Sequence, residues 1–365
     1  MRETPPPRVL VVDDSAFMRR IVSDVVASSG EFEVVGTARD GLDALRQVAL
    51  LDPDIITLDV DMPQLDGLSV LQRIMQERPR AVVMLSAGGS DGGADATLRA
   101  LELGAVEFVR KPSGAISLDL EDVSEQLLEA LRAAACTNLD ILPRAEIAID
   151  RAASVGGKAS AAPTGGAGVP ATQLVCIAAS TGGPAALSRV VPRLPKFEHT
   201  AVLIVQHMPA GFTTSLASRL HGASRLSVHE AADGDAILAG HVYIAPGGFH
   251  MRVTGTSSAP TLSLDRGAAE WGVRPAADPL FKSASKLFGA STIGVVLTGM
   301  GRDGAAGLSD VRKAGGRAVV QHRDSAVIAG MPDAALREAG ADRVEMLEQI
   351  ADAIAQLAQL YEAAS

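Results

Sequence analysis

The sequence offers its fold few covalent or membrane supports. Two cysteines in 365 residues, Cys136 and Cys176, cannot make a disulfide framework. Cys176 falls inside an apolar run of strand character, where a buried and inert thiol is expected. No apolar run approaches the ~20 residues of a transmembrane helix, so no membrane insertion is expected. The opening Met-Arg-Glu-Thr-Pro-Pro-Pro lacks the apolar core of a signal peptide, and the chain reads as cytoplasmic. Positive charge is not in excess: the net charge of −10 argues against nucleic acid as a partner, which would want a clustered basic face. Aromatics are scarce at 3%, yet 47% hydrophobic and 21% charged residues still describe a globular α/β chain rather than a disordered one. The length suggests two or three domains.

From Arg8 to about Gly114, short apolar strands alternate with amphipathic helices, the pattern of a doubly wound parallel sheet. Strands are expected at Val9–Val12, Glu33–Thr37, Ile55–Leu58, Val82–Leu85 and Glu107–Val109, with helices such as Phe17–Ala27 and Leu68–Gln76 between them. Special residues stand where four of these strands end: Asp13-Asp14, Asp59, Ser86 and Lys111. In open α/β sheets the strand carboxyl ends form the ligand crevice. Three carboxylates there repel one another unless a cation is present, and hard oxygen ligands suit Mg²⁺. A carboxylate can also take a phosphoryl group, with the metal, a lysine and a hydroxyl balancing the added charge. Taken alone, Asp-Asp after a strand is equally a helix cap; agreement among four strand ends favours the site.

This region resembles the receiver domain of two-component response regulators through Val-Val-Asp13-Asp14-Ser, Leu-Asp59-Val-Asp-Met-Pro-Gln-Leu-Asp-Gly67, Leu-Ser86-Ala and Lys111-Pro112. The resemblance implies a flavodoxin-like fold with Asp59 as phosphoacceptor. Asp13, Asp14, Asp59 and the Asp61 carbonyl would serve Mg²⁺, Ser86 and Lys111 would sense the phosphoryl group, and Phe108 would be the switch aromatic. The run after Ser86 is more glycine-rich than in most receivers.

A helical pattern at Leu118–Ala135 completes this domain, and Arg151 to Pro170 then becomes Ala, Gly, Ser and Pro with hardly a large apolar side chain. Such a stretch cannot offset the entropy of ordering and reads as a flexible tether. The expected division is a receiver at 7–135, a linker at 136–171 and a second domain at 172–362. The second domain reads as a mainly parallel α/β unit, with strands at Leu174–Ala178, Val202–Val205, Val242–Ala245, Ile293–Thr298 and Ala318–Gln321. Glycine- and proline-punctuated short strands between Leu226 and Leu264 suggest a small antiparallel flap.

The first of those strands ends in Ala-Ala-Ser180-Thr-Gly-Gly-Pro184. A serine on a tight strand-to-helix turn presents its Oγ beside free helix N-terminal N–H groups, as an acyl-transfer nucleophile requires. An anion-binding turn or a capping serine reads equally well from this stretch by itself. A nucleophile needs a base, and His207 directly ends the Val202–Gln206 strand; His250 and His322 are weaker rivals. Asp303, at the end of Leu-Thr-Gly-Met-Gly-Arg-Asp303-Gly, would fix the imidazole tautomer, while backbone N–H groups at Thr181 and Met300 would hold the oxyanion. The same loop is a literal G-x-G-x-x-G with Asp324 downstream, a dinucleotide fingerprint. A negative charge inside the loop and the short remainder of the chain count against it.

The Ala-Ser180-Thr-Gly-Gly, Gln-His207-Met-Pro and Leu-Thr-Gly-Met-Gly-Arg-Asp303-Gly blocks resemble the catalytic domain of the protein-glutamate methylesterases of bacterial chemotaxis, as does His241-Val-Tyr-Ile-Ala-Pro-Gly-Gly-Phe-His-Met251. Two departures are visible: Ala178 where the family usually has glycine, and Arg274-Pro-Ala-Ala-Asp278 where it usually has Arg-Pro-Ser-Val-Asp. The resemblance implies hydrolysis of glutamyl methyl esters, and deamidation of glutamines, on the cytoplasmic helices of chemoreceptors. No cofactor is implied in that domain. Control would come from a chemotaxis histidine kinase phosphorylating Asp59 and relieving a receiver that covers the esterase groove. Other classes are a response regulator with a binding-only or nucleotide-binding output, and a transcription factor, which the acidic charge disfavours.

Overall fold

The computed structural model describes residues 5–86, 93–111, 119–142 and 168–362, in two compact units, Met1–Arg151 and Ala152–Ser365. The glycine-rich run after Ser86, the stretch following Lys111 and most of the expected tether lie outside the described residues.

In the first unit, five strands, β1 (Arg8–Val12), β2 (Glu33–Ala38), β3 (Ile55–Asp59), β4 (Ala81–Ser86) and β5 (Glu107–Arg110), form a parallel sheet of order β2-β1-β3-β4-β5. Five helices alternate with them: α1 (Ala16–Ser28), α2 (Gly41–Leu51), α3 (Gly67–Glu77), α4 (Gly93–Glu102) and α5 (Asp119–Ala135). The central strands β3 and β4 are buried along their whole length, as a parallel sheet covered on both faces requires. Three helix starts are fixed by side-chain caps: Ser15 accepts from Met18 N, Asp40 from Asp43 N and Asp66 from Ser69 N. The order reverses between β1 and β3, which pair with Val12 beside Leu58. Asp13 and Asp59, the next residue on each, therefore lie together at the switch point.

The second unit has a seven-stranded parallel sheet of order β14-β13-β12-β6-β7-β9-β8. Its strands are β6 (Gln173–Ala179), β7 (Thr200–Gln206), β8 (Ser227–Glu230), β9 (His241–Ile244), β12 (Thr292–Val296), β13 (Arg317–Gln321) and β14 (Arg343–Glu345). The antiparallel element expected between Leu226 and Leu264 is the hairpin of β10 (His250–Thr256) and β11 (Ala259–Asp265). The first strand of that stretch, β8, instead joins the main sheet parallel to β9. Helices α6 (Gly183–Val190), α7 (Phe212–Ala223), α8 (Ala277–Phe288), α9 (Ala305–Lys313), α10 (Gly330–Glu338) and α11 (Leu347–Glu362) complete the unit. Residues of β6, β7, β12, α8 and α9 share one core around the fully buried Phe281. Strand β6 sits between β7 and β12, in register Ala179 to Gln206 and Ala178 to Val296. Three neighbouring strand ends thus open onto one rim.

Candidate active site and acidic site

Ser180 follows β6 directly, and its N–H donates to Thr298 O of the β12 exit loop at 3.0 Å. The turn closes with Gly183 N donating to Ser180 O at 2.7 Å. Gly182 makes this possible, with φ +77° and a would-be Cβ only 2.6 Å from Val327 Cβ. Ala178 takes an ordinary strand conformation, so the methyl group of that departure is accommodated.

His207 follows β7, and its N–H donates to Ala179 O at 3.0 Å, which fastens base and nucleophile strands together at their ends. His207 Nε2 lies 2.7 Å from Asp303 Oδ2. Asp303 also accepts from Ala277 N (2.6 Å), Asp278 N (3.0 Å) and Gly304 N (2.9 Å). The carboxylate thus caps α8, whose own N-cap, Ala276, has no side chain able to do so. Burial works to raise the Asp303 pKa, but the bond to His207 and the two α8 N–H groups hold it below the ordinary carboxylate value. Among the described residues no hydrogen bond joins Ser180 Oγ to His207; such bonds commonly tighten only with substrate in place.

Thr181 is buried, whereas Met300 is 40% exposed on the loop after β12. Both rival histidines are committed elsewhere. His250 has Ala268 O on one ring nitrogen and Ala276 N on the other, and His322 accepts from Asp324 N within its own turn. The fingerprint loop uses Asp303 as described and leaves Asp324 beside His322.

Three supporting residues escaped the sequence reading. Gln206, buried at the end of β7, donates through Nε2 to both Ser180 O (3.0 Å) and His207 O (3.1 Å). Thr298 Oγ1 bonds Thr181 O at 3.0 Å and accepts Ile328 N at 3.0 Å. Asp278 accepts from Gly307 N at 2.6 Å and from the Trp271 indole at 2.8 Å. A polar residue inside a fully buried apolar strand was the available signal for Gln206.

In the first unit, Lys111 Nζ lies 2.7 Å from both Asp13 Oδ2 and Asp59 Oδ2. Asp13, Asp59, Ser86 and Phe108 are buried; Asp14 and Asp61 are exposed at the rim. Asp59 Oδ1 accepts Asp61 N, and Lys111 N donates to Ser86 O at 2.8 Å. Gly67 is required here, because a Cβ on it would stand 2.0 Å from Asp59 O. Burial pushes the Asp59 carboxyl up to about 6, against the pull of the Lys111 ammonium. Asp13, Asp14 and Asp59 offer oxygens all within 4.8 Å of one another. One ammonium cannot balance three carboxylates, so the donor set fits a hard divalent cation.

Fold and site together define a class: a two-domain α/β protein pairing a receiver-type acidic site with a serine–histidine–aspartate rim. Residues 9–120 match the response regulator receiver domain family and residues 175–354 the CheB methylesterase family. The chain is 42% identical over 353 residues to the protein-glutamate methylesterase/protein-glutamine glutaminase of Pyrococcus horikoshii, covering 97% of this chain and 94% of the relative. It is 44% identical over 352 residues to the protein of the same name from Bacillus subtilis, covering 95% and 97%. The crystal structure of the Thermotoga maritima CheB methylesterase catalytic domain covers 52% of this chain and 98% of its own, at 39% identity and a TM-score of 0.49. The chain belongs to the protein-glutamate methylesterase/protein-glutamine glutaminase family, with an N-terminal receiver domain. Among the described residues no helix is long and apolar enough to cross a membrane.

Proposed function

We propose that this chain hydrolyses glutamyl methyl esters, and deamidates glutamines, on the cytoplasmic helices of chemoreceptors, under control of phosphorylation at Asp59. The observation that carries this reading is the convergence of Ser180, His207 and Asp303 at the ends of adjacent strands β6, β7 and β12, with His207 and Asp303 already bonded at 2.7 Å.

Ser180 Oγ attacks the side-chain carbonyl carbon while His207 takes its proton. With Nε2–H donating to Asp303, Nδ1 is the nitrogen left to accept that proton, so Asp303 sets the reactive tautomer. The N–H groups of Thr181 and Met300 receive the oxyanion. His207 then protonates the departing methanol, or ammonia from glutamine, leaving a glutamyl–Ser180 ester. Water, deprotonated by His207, attacks this acyl-enzyme, and Ser180 leaves with the proton to regenerate the site.

In the receiver, Asp59 accepts the phosphoryl group from a histidine kinase, Lys111 and Ser86 bond its oxygens, and Phe108 on β5 responds as the switch aromatic; the 2.7 Å contact of Lys111 Nζ with Asp59 supports the lysine's part. Asp13, Asp14, Asp59 and the Asp61 carbonyl are the residues to hold Mg²⁺, which when bound neutralises charge on the phosphoryl group. Methanol release from methylated receptor membranes tests the whole reading. It should disappear in Ser180→Ala, and its stimulation by acetyl phosphate should disappear in Asp59→Asn. Undiminished release in the first variant ends the serine mechanism; undiminished stimulation in the second ends the control by Asp59.

A further inference from the structure

The chain has a single tryptophan, and it stands where the backbone would favour another residue. Glu270 and Val273 exchange both backbone hydrogen bonds, at 3.2 and 3.0 Å, so Trp271-Gly272 is a two-residue hairpin tip. Both tip residues have positive φ, +56° and +80°. Such a turn favours Asn, Asp or Gly at its first position, and a bulky side chain there is strained. The tryptophan is nevertheless held firmly. Its Nε1–H donates to Asp278 Oδ2 at 2.8 Å, and the Arg302 guanidinium lies 4.7 Å from its ring centroid. Both anchors adjoin the candidate active site: Asp278 N donates to Asp303 Oδ1, and Arg302 precedes Asp303 in the chain. Despite these anchors Trp271 remains 53% exposed, with Met300 at 40% on the same loop as Arg302.

We infer that Trp271 is a specificity-determining residue, a pre-ordered aromatic rim that meets the protein carrying the scissile group and that a free small ester does not use. This rests on the esterase reading above and names what that site recognises around its reacting carbonyl. A backbone strain maintained by two side-chain anchors beside a reaction site indicates a functional demand on that position. A large aromatic already fixed in one orientation contributes contact area with little further loss of freedom, which is why such residues dominate protein interfaces. Substrate reach is the demand that an exposed indole meets and that its polar anchors alone do not.

The test uses the full chain activated with acetyl phosphate and two substrates, methylated receptor membranes and N-acetylglutamate γ-methyl ester. Trp271→Ala should lower kcat/KM on the receptor about tenfold or more, chiefly through KM, and leave turnover of the small ester within about twofold. Trp271→Phe, which keeps an aromatic face but loses the bond to Asp278, should recover most of the receptor activity. Equal loss on both substrates, a fall in kcat alone on the receptor, or no loss on either would overturn the inference. Ser180→Ala separates the two readings: if it still turns over both substrates, the esterase assignment fails independently of Trp271.

Discussion

Asp303 Oδ2 is shared between His207 Nε2, at 2.7 Å, and the Ala277 N–H, at 2.6 Å. One carboxylate oxygen therefore orients the imidazole and ties it to the start of α8. Asp303→Asn cannot keep all four contacts: an amide nitrogen in place of Oδ1 would face the Asp278 and Gly304 N–H groups, so it takes the Oδ2 side, where of the backbone donors only the Ala277 N–H opposes it. It also turns a proton toward His207 Nε2, which moves the imidazole proton to Nδ1 and removes the acceptor Ser180 needs. The expected fall in kcat is on the order of 10³–10⁴ with KM little changed. Methanol-release kinetics at neutral pH measure it, and a kcat within tenfold of the parent would sink the orienting role.

Gln206 holds the carbonyls of Ser180 and His207 with one amide group. Gln206→Leu keeps approximate volume and removes both bonds, freeing two strand exits that must stay aligned. A misplacement of about 1 Å at reacting atoms can cost 10²-fold in rate, so kcat should fall by about that factor. Because the contact is with backbone rather than substrate, KM should change by less than threefold or so. Kinetics that show the reverse split would place Gln206 in substrate binding instead.

Two strand ends of the candidate rim were legible in the sequence because Ser180 and His207 each stand directly after a strand, as Asp13 does in the first domain, whereas Asp303 lies seven residues beyond β12 and was legible only through its loop motif. What the sequence concealed were residues that act through backbone. Gln206 and Gln321 both end buried strands and both spend their amides on a neighbouring exit: Gln321 Oε1 accepts Thr298 N at 2.8 Å. Their role depends on which strands are adjacent, and the order β13-β12-β6-β7 is a long-range property. Strand β8 illustrates the same limit, since glycine-rich punctuation near it suggests a hairpin while its hydrogen bonds place it parallel to β9. Trp271 was invisible for another reason: its meaning lies in a positive φ that no side-chain pattern reports.

The two cysteines should differ sharply toward a thiol reagent. Cys176 is fully buried in β6, and burial pushes its thiol well above the usual range, so almost no thiolate is available. Cys136 is exposed just beyond α5. Ellman's reagent on the folded protein should titrate one thiol, and a second only after denaturation. Rapid reaction of both in the native state would contradict the packing of β6, and with it the base of the Ser180 turn.

The acidic site makes a prediction that needs no catalysis. Asp13 and Asp59 lie against Lys111 at 2.7 Å each, and Asp14 adds a third carboxylate to one ammonium. A divalent cation that binds this arrangement only when folded stabilises it by RT ln(1 + [L]/Kd), about 1.4 kcal/mol at a tenfold excess over Kd. For a domain of this size that is a rise of roughly 5 °C in the unfolding midpoint. Mg²⁺ should therefore raise the receiver transition of the full chain relative to EDTA, while Ca²⁺, preferring more and longer oxygen contacts, should do so less. Asp13→Asn removes one hard anionic ligand without enlarging the side chain, and the Mg²⁺-dependent rise should then largely vanish. The variant measured in EDTA controls for its own effect on folding, since it also loses the ion pair with Lys111. An unchanged Mg²⁺ response in Asp13→Asn would remove that carboxylate from the metal site and leave its bond to Lys111 as its whole function.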